Sequence, residues 1–198
     1  TDGVIITYDA SGDPVHVGPG ADGQVLTSTG SGSPPAFEDV AAGGGIDNAV
    51  VFRKTADTTG NSLPVTDWEK EDGLYLPGEI GTFAAPSSGV FTFPSTGYWY
   101  MIAVLSAVNS GSSVSNTMYV QIMVTIDNGG YWSNNSINQN GAAVSGHASA
   151  TTTHLLDVTD LSNHKVKINL GCAYGSEVMK GDSTSNETSV TFIRLGDT

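Results

Sequence analysis

An all-β fold is predicted for this chain by three features of its sequence. Thr117–Ile126 alternates, with Met118, Val120, Ile122, Val124 and Ile126 on one face and Tyr119, Gln121, Met123 and Thr125 on the other. A period of two is that of a half-buried strand. Asp127-Asn128-Gly129-Gly130 follows directly, and Asn-Gly accepts the positive φ that both central positions of a tight hairpin turn demand. Ser, Thr and Asn accompany 25 Gly along the chain, a composition of turns and short strands. No segment of helical length shows a 3.6-residue apolar period.

The elements follow in order. Val4-Ile5-Ile6-Thr7-Tyr8 and Val15-His16-Val17 read as short strands around the turn-rich Asp9–Pro14. Residues 19–37, rich in Pro and Gly with Val25-Leu26 as their one compact apolar pair, cannot be a core element. Gly43-Gly44-Gly45 reads as a hinge, since adjacent glycines have no steric reason to hold one conformation. Beyond it, Ala49–Arg53 is a short strand. Phe91–Phe93 and Gly97–Ser106 are expected to pair hairpin-fashion around Pro94-Ser95-Thr96. Tyr131-Trp132-Ser133 should open the strand returning from Thr117–Ile126, with Ser133–Asn140 a polar loop. Ala148–Val158, Val166–Leu170 and Ser189–Leu195 complete the set. Eight to ten strands punctuated by turns predict a sandwich or barrel.

At 198 residues the chain can bury one good core and leave an arm over. The division is placed at residue 45. Residues 1–45 hold six acidic groups and no cation, the first being Arg53. Their apolar residues are spaced at intervals: Val4, Ile5, Ile6, Tyr8, Val15, Val17, Val25, Leu26, Phe37 and Val40. A tail selected only for solvation would not need them; an arm that orders on a partner or on its own copies would.

Two resemblances add to this reading. Gly23-Gln24-Val25-Leu26-Thr27-Ser28, then Gly30-Ser31-Gly32, then Pro35 and Phe37, resemble the GxxGQVLTSxGxGxxPxF module of bacteriophage tail fibres and other virion appendages. There the module typically precedes or joins the globular heads of elongated trimers. Further on, Gly89–Tyr100 resembles the GxYxF…G.Y.F pattern of the C1q/TNF-like family. His154–Leu170 is similar to its LxLxxGDxVxL strand pair, and Thr188–Gly196 to its closing strand. The chain departs from that family at Ser162-Asn163, where Gly-Asp is usual, and at Ile193-Arg194, where a Gly-aromatic pair is usual. The likeness spans about residues 49–196 and implies a ten-strand jelly roll that assembles as a homotrimer; with the division at residue 45, the chain reads as a C1q/TNF-like jelly-roll head over residues 46–198 preceded by an extended N-terminal arm. It carries over no ligand.

Composition narrows the chemistry. Twenty acidic against 7 basic residues give a net charge of −13, which weighs against nucleic acid, whose phosphates demand Lys and Arg. No apolar run approaches the ~20 residues of a membrane-spanning helix, and no signal peptide is recognised. Cys172 stands alone, so no intrachain disulfide forms, and its setting predicts a buried, inert thiol. His16, His147, His154 and His164 lack the spacing of a zinc site. Asp157, Asp160 and Asn163 could offer oxygens to Ca²⁺ but suit turn chemistry better. Asp67, Glu69, Glu71 and Asp72 read as a solvated loop. No catalytic motif, cofactor site or metal site is assigned.

The expected function is therefore structural: a non-enzymatic virion protein assembled in host cytoplasm, either a surface fibre or a capsid decoration protein. The arm would carry attachment to other virion proteins. If the head touches the host surface, Tyr131, Trp132, Asn134 and Asn135 are the first candidates, an aromatic pair beside amides suited to glycan hydroxyls. The alternative is a C1q-like carbohydrate-binding or adhesin module of a cell-surface protein.

Overall fold

The computed structural model describes residues 3–39, 45–72 and 78–198. Its contacts divide into two units, Thr1–Gly45 and Ile46–Thr198. The hinge residues Gly43 and Gly44, the arm residue Val40, and Tyr75 lie outside the described residues.

The first unit is two hairpins. β1 (Ile5–Tyr8) and β2 (Pro14–Val17) pair antiparallel, with Ile5 opposite Val17 and Tyr8 opposite Pro14. Asp9 makes their turn, its Oδ1 accepting the backbone N–H groups of Ser11 and Asp13 at 2.9 Å each. β3 (Gln24–Thr27) and β4 (Ala36–Asp39) pair likewise, Leu26 opposite Phe37. The Thr27 hydroxyl donates to Glu38 Oε2 at 2.7 Å and Gln24 Nε2 to Asp39 Oδ1 at 3.0 Å. A Cβ at Gly20 would stand 2.6 Å from Phe37 Cδ1, so the chain passes the ring only without a side chain there. The two apolar pieces of the linker motif, Val25-Leu26 and Phe37, are thus the facing strands of one hairpin, and the arm doubles back twice along its length.

The second unit is a two-sheet antiparallel sandwich. Its strands are β5 (Ala49–Lys54), β6 (Thr58–Thr59), β7 (Trp68–Lys70), β8 (Glu79–Ile80), β9 (Val90–Thr92), β10 (Gly97–Asn109), β11 (Ser115–Thr125), β12 (Ser133–Ala142), β13 (His147–Val158), β14 (Lys165–Cys172), β15 (Glu177–Met179) and β16 (Ser189–Gly196). The larger sheet is organised around β10. One edge of β10 pairs with β13 from Gly97–Val158 to Val108–His147. Its other edge takes β16 and β15 end to end. β5 follows β16 and carries β7 and β8, while β6 lies on β15. The smaller sheet runs β12-β11-β14-β9.

Three expectations are corrected by this topology. Phe91–Phe93 and Gly97–Ser106 do not form a hairpin: β9 pairs with β14 in the smaller sheet and β10 lies in the larger. Pro94–Thr96 is therefore a corner between sheets, where both flanking segments bury aromatics from opposite sides. Ser133–Asn140 is strand, not loop, because the Asn-Gly turn feeds straight back into pairing with β11. Polar composition hid it; this strand shows only one apolar residue, Ile137, before its end at Ala142. Asp67, Glu69 and Asp72 are not simply solvated. Glu69 Oε1 accepts from the buried Arg53 Nε at 2.8 Å, Asp72 pairs with the same guanidinium, and Asp67 Oδ2 holds the buried Lys54 Nζ at 2.7 Å.

The core divides aromatics by polarity. Phe52, Phe83, Phe91, Phe93, Phe192, Trp68 and Trp99 are buried and pack with centroids 4.9 to 6.4 Å apart, mostly edge to face, the arrangement that ring quadrupoles favour. Met101, Met118 and Met179 fill the same core. The described tyrosines of the unit stay outside it: Tyr98, Tyr131 and Tyr174 are exposed, Tyr100 and Tyr119 half-buried. A phenolic hydroxyl needs a partner that an apolar core does not offer.

One open edge of the sandwich is sealed by side chains. Among the described residues β13 pairs only with β10, so its other edge has no strand partner. From β12, Asn138 Nδ2 donates to Thr151 O at 2.8 Å and Asn140 Nδ2 to Ser149 O at 3.0 Å. Ser136 and Thr152 join hydroxyls between them. The Asn138 and Asn140 amides thus serve the fold.

Candidate interaction surfaces

Strand alternation decides what each sheet presents outwards. In β10, Trp99, Met101, Ala103, Leu105 and Ala107 point inwards; Tyr98, Tyr100, Ile102, Val104, Ser106 and Val108 point out. Thr191, Ile193 and Leu195 of β16 and Ala49 and Val51 of β5 share that outer face. None of these residues carries a charge. Register makes the patch continuous: Tyr100 lies between Leu155 and Ile193, Ile193 lies beside Ala49, and Ala49 beside Ile80. Leu155 is 53% exposed, Leu195 57% and Ile80 47%, an apolar array of the kind monomers rarely leave in water. A shallow groove of about 150 Å³ runs along it, bounded by Ile80, Thr191, Ile193 and the carboxyl-bearing Glu71 and Glu79. The outer face of the smaller sheet differs. Gln121 and Asn169 bond each other there at 2.9 Å, and Lys165 and Lys167 stand beside them.

The second surface is the β11–β12 turn. Asn128 and Gly129 take φ of 61° and 97°, the turn geometry their sequence demands. Thr125 fixes it from beneath: its Oγ1 donates to Asp127 Oδ1 at 2.6 Å and accepts the Gly129 N–H at 3.0 Å. Asp127 Oδ1 also accepts the Tyr131 N–H at 2.9 Å. The Thr125 hydroxyl first, then the Tyr131 N–H, hold the Asp127 carboxyl below the usual carboxylate range. Ile126, expected on the buried face, is 67% exposed, because it stands one residue past the end of β11.

The four predicted contact residues separate here. Tyr131, 71% exposed, and Asn135 line a cleft of about 300 Å³ with Val124, Ile126, Asp127 and Ser133. Asn135 is the extra residue of a β-bulge, since Ile122 pairs with Ser136 and Met123 with Asn134. Trp132 is half-buried: its ring lies beside Gly129 and under the Lys167 ammonium, 4.3 Å from the ring centre. Asn134 is exposed opposite Met123 on the smaller sheet's outer face. Sequence reading missed Ile126, Asp127 and Ser133; the bulge that gathers them has no signature in a run of Asn and Ser.

Asp160 accepts the Ser162 N–H at 2.8 Å and the Asn163 amide at 2.7 Å, which lowers its pKa. Cys172 is half-buried rather than buried, and burial pushes its thiol up. Burial also lowers His154. No group of His, Cys, Asp and Glu suited to a metal ion occurs among the described residues.

No protein-family model and no curated protein matches the chain. Among solved structures it is similar to the Eiger TNF of S. frugiperda, at 12% identity and TM-score 0.53 over 76% of this chain and 93% of that one. It is similar to murine APRIL at pH 5.0, at 11% identity and TM-score 0.51 over 75% and 98%. The globular domain of zebrafish complement 1qA matches at 10% identity and TM-score 0.50 over 76% and 98%. The fold is a TNF/C1q-like jelly roll. At these identities the jelly roll shares with those domains its architecture alone.

Proposed function

We propose that this chain is a homotrimeric structural protein of a bacteriophage virion, a surface fibre or capsid decoration protein. Its N-terminal unit anchors it to other virion proteins, and its jelly-roll head faces outwards, where it contacts the host surface. The observation that carries the reading is the uncharged central strip of the larger sheet's outer face, formed by Tyr100, Ile102, Val104, Thr191 and Ile193. Permanent interfaces are apolar at their centres and depleted in charge; copies of this chain are the partner that is always present. The likeness to TNF and complement domains supports a module that self-associates and is not an enzyme. The likeness of residues 19–37 to the phage appendage module supports the virion placement. Exposed Ile5, Ile6, Tyr8, Val25 and Leu26 on the two hairpins support attachment, since an isolated two-stranded hairpin is marginally stable in water.

Sedimentation of residues 46–198 at micromolar concentration should give a trimer, and antibody against the chain should label intact phage particles. A stable monomer would remove the self-association reading. The second reading, a C1q-like carbohydrate-binding or adhesin module of a cell-surface protein, is favoured by the likeness to the zebrafish complement domain. Capsid, portal or tail genes beside the coding gene separate the two.

A further inference from the structure

We propose that the cleft between Tyr131 and Asn135 binds a neutral saccharide, with an N-acetylated hexosamine as its best occupant. This rests on reading the head as an outward-facing recognition module, and it names the ligand class and the residues that take it.

The cleft has the mixed lining that a sugar requires. Val124 forms an apolar floor, 3% exposed, and Ile126 an apolar lip. Tyr131 stands free beside them, a flat ring able to lie against the C–H face of a pyranose at low entropy cost. The Ser133 hydroxyl and the Asn135 amide supply both donors and acceptors. Asp127 adds a carboxylate that stays ionised, already oriented by Thr125 and the Tyr131 backbone. Sugar hydroxyls donate well to such a group.

Placement argues for ligand rather than for fold. The Asn135 side chain makes no hydrogen bond among the described residues, whereas the Asn138 and Asn140 side chains on the same strand are engaged with β13. The bulge at Asn135 breaks the alternation of β12, the device by which a strand re-aims one side chain. The turn beneath is fixed by Thr125, by the Asn128 N–H on Asn163 O at 3.0 Å, and by the Lys165–Asn128 contact. A cleft on such a base is preorganised.

Size and charge select within the saccharides. About 300 Å³ is the low end of ligand pockets, room for one ring. The Asp127 carboxylate and the chain's charge of −13 disfavour acidic sugars. The apolar floor and lip give an acetyl methyl group somewhere to go, which a plain hexose cannot use.

Saturation-transfer NMR on the full chain tests this with N-acetylglucosamine, N-acetylgalactosamine, glucose and N-acetylneuraminic acid, each near ~10 mM because single sugars bind at about millimolar Kd. The acetyl methyl of a neutral N-acetyl sugar should receive the strongest saturation. Tyr131→Ala and Asn135→Ala, both at exposed positions, should each weaken binding about tenfold, while Trp132→Ala should leave it unchanged. The inference is overturned if none of the sugars receives saturation, if N-acetylneuraminic acid is preferred, or if neither cleft variant weakens binding. Sedimentation of the same samples keeps the two proposals apart: trimers without sugar binding sink only this inference, and monomers that bind sugar sink only the trimer.

Discussion

Ile102 provides a direct test of what covers the larger sheet. It sits midway along β10, half-buried in the single chain and flanked on the outer face by Thr153 and Thr191. Replacing it with Asp costs the isolated head little, about 1–2 kcal/mol, because the position retains solvent and Asp is merely a poor strand former. In an assembly that buries the face the same change is severe. It forfeits about 1.5–3 kcal/mol of apolar burial and strands a carboxylate whose desolvation costs several more. The cation that β5 carries on this face, Arg53, is already paired with Glu69 and Asp72. A loss near ~5 kcal/mol per chain is more than a thousandfold in association. Sedimentation at micromolar concentration should therefore find trimers for the native chain and folded monomers for Ile102→Asp, with far-ultraviolet dichroism unchanged. Gln121→Asp, on the outer face of the smaller sheet, should stay trimeric. If Ile102→Asp assembles normally, or if both variants dissociate alike, the larger sheet is not the interface.

Phe192 touches four other phenyl rings, two of them at 4.9 Å, so Phe192→Ala should lower unfolding free energy by about 3–5 kcal/mol; a urea midpoint shift worth less than ~1 kcal/mol would show the cluster is not the centre of the core. Asn138→Ala combined with Asn140→Ala uncovers two carbonyls on the β13 edge and should cost about 1–2 kcal/mol together, with faster aggregation on heating; equal aggregation rates would mean that the edge is guarded otherwise. Stability should fall with acidification in two stages. The unfolded chain takes up protons at His154 below its usual 6.5 while burial keeps the folded residue neutral, and Asp127, Asp160 and Asp57, all held low, lose their stabilising partners as pH drops through and below 3.8. Melting temperature that rises on acidification from neutral pH would contradict both signs. Deleting residues 1–40 should leave head melting unchanged and remove the protein from purified particles; normal incorporation would dismiss the arm as anchor.

Strands that alternate cleanly were legible, and those that do not were hidden. β11, β14 and β16 could be read residue by residue because one face of each is core. β12 could not, since at an edge over solvent its Asn and Ser residues show no contrast. Pairing was harder than existence: nothing local to Phe91–Tyr100 says that Pro94–Thr96 turns a corner between sheets. The ion pairs of Arg53 and Lys54 escaped because burial of a cation depends on chain brought from elsewhere, β7 and the loop before it. The geometry around the suspected contact residues was hidden for the same reason. Tyr131 was evident as an aromatic after a turn, but which amide joined it depended on a one-residue slip in register.

The three tryptophans occupy three separate settings, and each therefore emits its own message. Trp99 is sealed in the core with Nε1 donating to Ser95 O at 3.0 Å, and Trp68 is buried against Phe91 at the β7 edge. Trp132 alone is half-buried, capped by the Lys167 ammonium at the tip where the saccharide cleft opens. A soluble quencher added to the native protein will reach Trp132 and spare the other two. The quenchable fraction of the emission then follows events at the tip, while the protected fraction responds only when the sandwich itself comes apart. One cuvette thus distinguishes a ligand that settles beside the turn from a condition that loosens the core, with no label attached.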